Sequence, residues 1–291
     1  MNKVKNSILL TLAVLLSIVI PFKGNSQNKK NNSLLWKVEG NGIQPSYLMG
    51  TFHIMPKDDF EIKEKVSEAF KKSDQIVLEL DMDDPSMQGE MLKHIMLKNG
   101  KTLKDYVTDE EYKILDKALI EASGQGMAAF ASLKPVTITS LITVKLMGKQ
   151  TESFELSFIK MAAEQKKEIL GLETVEEQIT VFDNIPYEDQ LDDLVEMLSN
   201  KTETNQLFEE MIEAYKNEDL DALLKLINSQ MDDTAEIEAL LDDRNKKWIP
   251  KIGELSAEKS TFYGVGAGHL PGKNGVINLL KKAGYKVTPI N

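Results

Sequence analysis

No cysteine occurs in the 291 residues, which excludes disulfides, a thiolate nucleophile and lipid attachment through sulfur. Histidine is scarce, with His53, His94 and His269 alone. The common hydrolase signatures are missing as well: there is no H-E-x-x-H helix to seat zinc and no G-x-S-x-G elbow to expose a serine. Positive charge is in deficit, 35 lysines and arginines against 46 acids, and the net charge of −11 repels nucleic acid and anionic lipid. Neither is expected as a partner. The remainder, 42% hydrophobic and 28% charged, is the composition of a globular chain able to bury a core without cross-links.

The longest predominantly apolar run, Ile8 to Ile20, follows Lys3 and Lys5 and precedes small residues at Gly24 and Ser26. A positive start, a short apolar core and a small-x-small site predict an export signal over residues 1–26, cleaved before Gln27; an uncleaved anchor is the alternative. Cleavage removes three lysines and no acid, so the net charge moves from −11 to −14. The expectation is therefore an exported protein, periplasmic or extracellular, without a stable membrane span. Residues 27–33 read as a linker and 34–291 as a single domain.

Within that domain, Leu34 to Val38, the Asn41-Gly42 turn signal and Tyr47 to Ile54 read as strand, turn, strand. A helix with Ile62, Val66, Ala69 and Phe70 on one face leads into a buried strand, Gln75 to Leu80. From about 85 to 245 the apolar spacing is mostly helical, interrupted by the short strand Glu168 to Glu173. The tail returns to strand (Thr261 to Gly266), glycine-rich loop, helix and a last strand near Tyr285 to Thr288. The fold class predicted is α/β: a central mixed sheet built from N- and C-terminal segments, covered by a large helical middle region.

Two of the three histidines share one context, a strand end followed by G-x-x-H: Gly50-Thr51-Phe52-His53 and Gly266-Ala267-Gly268-His269. A glycine there permits a sharp turn or a close approach, and the histidine then projects at the crevice where open α/β sheets bind ligands. The two loops meet only if their strands are neighbours. His94 lies in a plain amphipathic helix and reads as a partly exposed structural residue. Glu79, inside an apolar strand, needs a partner for its charge. Glu173 ends another strand and is equally open to a site role or a structural one, while Glu177 fits a capping box with Thr174. The acidic pairs Asp192-Asp193 and Asp242-Asp243 read as solvated faces.

Taken together, several stretches resemble the TraB/GumN family, which includes the Tiki proteins and is related more distantly to erythromycin esterases and ChaN-like haem-binding proteins. They are Leu34 to Val38 with Ser46 to His53; Val77 to Asp81; Gly171 to Thr174 with Gln178; Asp243 to Asn245 with Trp248; and Tyr263 to Leu270 with Gly275 and Leu279-Leu280. The resemblance implies adjacent G-x-x-H loops and a divalent-metal-dependent peptidase, with manganese or cobalt as the ion. Carried over by residue, it implies a site of His53, His269, Glu79, Glu173 and Arg244, the histidines and glutamates as metal ligands and Gln178 as a polar neighbour. Arg244 would meet a substrate carboxylate or developing oxyanion, or pair with Asp242 or Asp243. The substrate expected is a peptide or a small amide or ester. Two other readings use the same crevice: a metal-free esterase-like hydrolase with a histidine base, and a binding protein for haem, metal or peptide without turnover.

Overall fold

A computed structural model describes residues 32–148, 150–230 and 237–291. The segment expected to be an export signal, residues 1–26, and most of the expected linker 27–33 lie outside the described residues. One six-stranded sheet organises the rest. It is formed by β1 (Leu35–Glu39), β2 (Ser46–Thr51), β4 (Gln75–Leu80), β6 (Ile169–Glu173), β7 (Thr261–Gly266) and β8 (Lys286–Pro289), in the spatial order β6-β4-β7-β2-β1-β8. β6, β4, β7 and β2 run parallel, whereas β1 is antiparallel to both β2 and β8. The sheet is thus mixed and draws on both ends of the chain, with β6 from the middle.

The sequence dictates which strands are central. Ile76, Val77 and Leu78 of β4 and Phe262, Tyr263 and Val265 of β7 are fully buried, and such unbroken apolar runs are what a parallel strand covered on both faces requires. At the β1–β2 connection Asn41 and Gly42 take φ of 48° and 78°, the left-handed conformation their dipeptide predicts. A further two-stranded ribbon was not legible in the periodicity: β3 (Met55–Pro56) pairs with β5 (Thr151–Glu152), tying the segment after His53 to the middle of the chain.

Eleven α-helices occur among the described residues, and nine of them divide between two cores. The sheet's core takes α1 (Glu64–Lys72), α5 (Phe154–Gln165), α8 (Lys201–Lys216), α9 (Leu220–Gln230), α10 (Asp243–Glu258) and α11 (Val276–Lys282), through residues such as Phe70, Phe158, Met211, Leu223, Trp248 and Leu280. A second cluster, built on Leu115, Leu119, Ile138, Ile142, Leu191 and Leu194, joins α3 (Asp109–Ser123), α4 (Pro135–Leu146) and α7 (Tyr187–Ser199). The helical middle is therefore not one cover. Only part of it has its own core, while its later helices pack on the sheet. Asp193, expected on a solvated acidic face, is instead 5% exposed, because α7 turns that side toward its neighbours.

Two short helices complete the layer beside the site, α2 (Met87–His94) and α6 (Val175–Asp183). α6 opens with the predicted capping box: Thr174 Oγ1 accepts from the Glu177 amide at 3.1 Å, and Glu177 accepts from the Thr174 amide at 2.9 Å. His94 closes α2, half-buried and 3.4 Å from Glu90 one turn earlier.

Candidate active site at the carboxyl rim of the sheet

Because four strands run parallel, their carboxyl ends share one rim, and each brings a residue of the expected site to it. β2 and β7 are neighbours with Thr51 opposite Gly266, so His53 and His269 leave the sheet side by side. Next to them β4 carries Glu79, and β6 ends at Glu173, with Leu80 opposite Glu173. The Nε2 atoms of His53 and His269 each lie 3.9 Å from Glu79 Oε1. Rings from opposite ends of the chain thus meet over one carboxylate.

Each glycine of the paired motif serves close approach. A Cβ on Gly50 would fall 2.7 Å from Leu270 Cδ1 and 3.1 Å from the Ala267 Cα, so only glycine lets the second loop pack on the first strand. A Cβ on Gly266 would stand 3.2 Å from His53 Nε2, 3.3 Å from Glu79 Oε1 and 3.5 Å from His269 Cδ2. The space between the rings and the carboxylate therefore exists because residue 266 has no side chain.

Arg244, near the start of α10, sits at the centre. Its Nη2 donates to Glu79 Oε2 at 2.6 Å and to Glu173 Oε2 at 2.8 Å; its Nε donates to Glu173 Oε1 at 2.9 Å. Its Nη1 donates to the Leu240 carbonyl at 3.2 Å and lies 3.1 Å from His269 Nε2. All five N–H groups of the guanidinium are thereby engaged by the protein. The pairing with Asp242 or Asp243 considered from the sequence does not form; Asp243 pairs with Lys246 at 2.8 Å. Leu240 belongs to a π-helical turn, Glu238–Asp242, that runs into α10. Such turns are frequent at functional sites.

The two glutamates differ in what remains free. Glu79 Oε2 also accepts from Gln178 at 3.0 Å and Oε1 from the Gly266 amide at 2.8 Å, leaving Oε1 as the oxygen that faces the histidines. Burial opposes its charge, but Arg244 and the two imidazoles outweigh that and hold its carboxyl far below the usual range. Glu173 is spent differently: both oxygens meet Arg244, and Oε1 also accepts from the Trp248 indole at 3.0 Å. Glu173 reaches the histidines only through Arg244.

Behind each ring stands a different partner. Asn245 Nδ2 donates to the Asn274 carbonyl at 3.0 Å, which turns its Oδ1 to His269 Nδ1 at 2.7 Å. His269 therefore carries its proton on Nδ1 and presents a lone pair at Nε2. Burial, followed by the Arg244 charge, pushes its pKa down to about 3. His53 Nδ1 instead meets Glu155 Oε1 at 2.9 Å. Burial disfavours the charged ring, yet the Glu155 carboxylate, by charge and hydrogen bond, raises the pKa to about 9. That ring is 38% exposed, so solvent screens part of the attraction. Glu155 had no signal in the sequence: it is one acid among many on a helix, brought to the rim by the β3–β5 pairing and by the packing of its helix on the sheet through Phe154 and Phe158.

The donor set, two imidazole nitrogens and one carboxylate oxygen with each imidazole held from behind, fits a divalent cation by chemistry. By geometry it is more open than a cage: among the described residues no three or more such side chains are grouped to hold an ion. Arg244 stands against two of the three donors.

The model of the TraB/PrgY/gumN family matches residues 34–289. The chain belongs to this family. Among proteins of similar sequence, the Xenopus tropicalis protein named metalloprotease TIKI1 is 25% identical, the match covering 91% of this chain and 63% of that protein. A Danio rerio metalloprotease TIKI2 is 24% identical over 89% of this chain and 61% of its own length. The human metalloprotease TIKI1 is 24% identical over 90% and 62% respectively. The chain thus spans 61–63% of the length of these relatives. No solved structure matches it. The TraB/PrgY/gumN match runs from the start of β1 to the end of β8, so the family domain is the whole sheet with its helices. No helix among the described residues is long and apolar enough to cross a membrane.

Proposed function

We propose that this protein is an exported, metal-dependent hydrolase that cleaves a peptide or a related amide, with His53, His269 and Glu79 as the groups that hold the ion. One observation carries the reading: two imidazole Nε2 atoms, each with its Nδ1 fixed by a partner, face the same oxygen of a buried carboxylate at 3.9 Å. The metalloprotease names of the relatives, and the apolar run that precedes the domain, support it. A divalent ion, manganese or cobalt being the ones to try first, would polarise a carbonyl and activate water.

The chain's own residues supply the rest. Asn245, by accepting from the Nδ1 proton, keeps a lone pair on His269 Nε2, which accepts from Arg244 Nη1 until an ion displaces that contact. The Gly266 amide and Gln178 orient Glu79 so that Oε1 faces the rings. With its N–H groups engaged, Arg244 acts from within, keeping Glu79 ionised and holding both Glu79 and Glu173 in place. Glu173 in turn anchors Arg244 and Trp248.

A metal-free hydrolase draws on a different observation, that Arg244 already supplies a cation beside Glu79 and His269. There His53, whose Nε2 is the less encumbered, is the base once it has lost its proton, so that activity rises with pH toward about 9. Hydrolysis of a peptide library by protein stripped with chelator and reloaded separates the two. We expect activity lost on stripping and restored by manganese or cobalt. Equal turnover by wild type and the His53→Ala, His269→Ala double variant overturns both.

A further inference from the structure

Glu155 touches His53 more closely than any group of the set expected from the sequence. Its Oε1 accepts from Thr51 Oγ1 at 2.6 Å and meets His53 Nδ1 at 2.9 Å, while its Oε2 accepts from Ser153 Oγ at 2.9 Å. Three donors thus converge on a carboxylate whose side chain is only 12% exposed. An ionised carboxylate can only accept, so the proton shared with His53 sits on Nδ1 and the lone pair of the neutral ring sits on Nε2.

The backbone makes this contact deliberate. Thr51 ends β2 and His53 follows two residues on, while Ser153 caps α5, whose second residue is Glu155. The β3–β5 ribbon, with Met55 opposite Glu152, joins these two segments just beyond the site. A strand end from the start of the domain and a helix from its middle are thereby locked at the point where Glu155 meets the ring. A second imidazole at the same rim has its Nδ1 held by an amide, so this part of the arrangement is built twice with different chemistry.

We infer that Glu155 is a positioning residue, which through Nδ1 of His53 fixes the tautomer and the direction of the ring so that Nε2 faces Glu79 Oε1. The inference rests on the hydrolase reading only for what Nε2 does once so placed. In a metal site such a partner is worth 10–100-fold in metal affinity. Thr51 and Ser153 then act one step further out, by aiming the carboxylate.

The test has two readouts. The ring 15N shifts of neutral His53 in the metal-free protein, assigned with His53→Asn, report the tautomer directly. Wild type and Glu155→Gln, which keeps an acceptor oxygen, should show the proton on Nδ1; Glu155→Ala should move it to Nε2. Glu155→Met, similar in length and a poor acceptor, guards against a folding defect in the alanine variant and should behave like it. Calorimetric titration with manganese should show affinity about 10–100-fold weaker in Glu155→Ala and Glu155→Met, with a smaller loss in Thr51→Val. Retention of the Nδ1 proton in both the alanine and methionine variants overturns the inference. A shifted tautomer in a protein whose wild type takes up no metal upholds the positioning role and defeats the metal-dependent reading instead.

Discussion

The two G-x-x-H loops share a pattern and a rim, yet they hold their histidines in opposite electrostatic states. His53 keeps 38% of its side chain exposed and leans on a carboxylate; His269 keeps 6%, leans on an amide and stands beside a guanidinium. Burial works against the charged form of both. A carboxylate reverses that for His53, whereas Arg244 reinforces it for His269, so the values separate to about 9 and about 3. The motif decides where a ring stands, and the residue behind it decides what charge the ring carries.

Removing Arg244 attacks one side of this contrast and should have the largest effect. Arg244→Met leaves Glu79 and Glu173 buried without their cation, a loss of about 3–5 kcal/mol for a broken buried pair. Urea unfolding should register it, and a loss below about 1 kcal/mol would mean that water or a neighbouring group replaces the guanidinium. Gly266→Ala strikes the space both rings share. Its methyl group would stand 3.2 Å from His53 Nε2 and 3.3 Å from Glu79 Oε1, and a displacement of about 1 Å in a catalytic group can cost on the order of 100-fold in rate. Peptide hydrolysis and manganese uptake should fall together in that variant.

Asn245→Asp sharpens the comparison by giving His269 the kind of partner His53 has. A carboxylate on Nδ1 should raise the His269 pKa by about 1–3 units, read by NMR titration. An unmoved value would show that Arg244 and burial, rather than the amide, set the state of that ring. The linked stability effect also has opposite signs on the two sides. The folded value of His53 exceeds its ordinary 6.5, so its contribution is whole below about pH 6.5 and is lost as pH rises through about 9. For His269 the folded value is lower, so the unfolded chain takes the proton first and stability falls as pH drops from about 6.5 toward 3. Urea midpoints of the metal-free protein between pH 5 and 10 should lose their alkaline decline in Glu155→Gln.

Much of this was legible in the residues because it was local. The duplicated spacing at His53 and His269, the charge of Glu79 inside an apolar strand and the Thr174–Glu177 box each announce themselves within a few positions, and the alternation of strand and helix gives the sheet. What the sequence hides is contact across distance. Glu155 lies 102 positions from His53 and is joined to it by a ribbon of two-residue strands too short to show a period. The family resemblance points to Arg244, but which acids it meets depends on how α10 crosses the sheet, 71 positions from Glu173 and 165 from Glu79. The division of the helices between two cores is hidden for the same reason, since periodicity shows which face of a helix is buried and not against what.

The smallest effect expected separates the helices that open beside the two sides of the site. α6 begins with the Thr174–Glu177 box and, one turn in, puts Gln178 on Glu79 Oε2, the oxygen turned away from the rings. α5 begins with Ser153 and puts Glu155 on His53 itself. Thr174→Ala should therefore cost about 1 kcal/mol, the usual value of an N-cap, and loosen Gln178 without touching the His53 tautomer or its titration. Differential scanning calorimetry with a parallel NMR titration checks both halves. If His53 shifts as well, the Glu79 carboxylate transmits disorder from one helix to the other, and the rings are coupled through the acid they share instead of being set independently by the groups behind them.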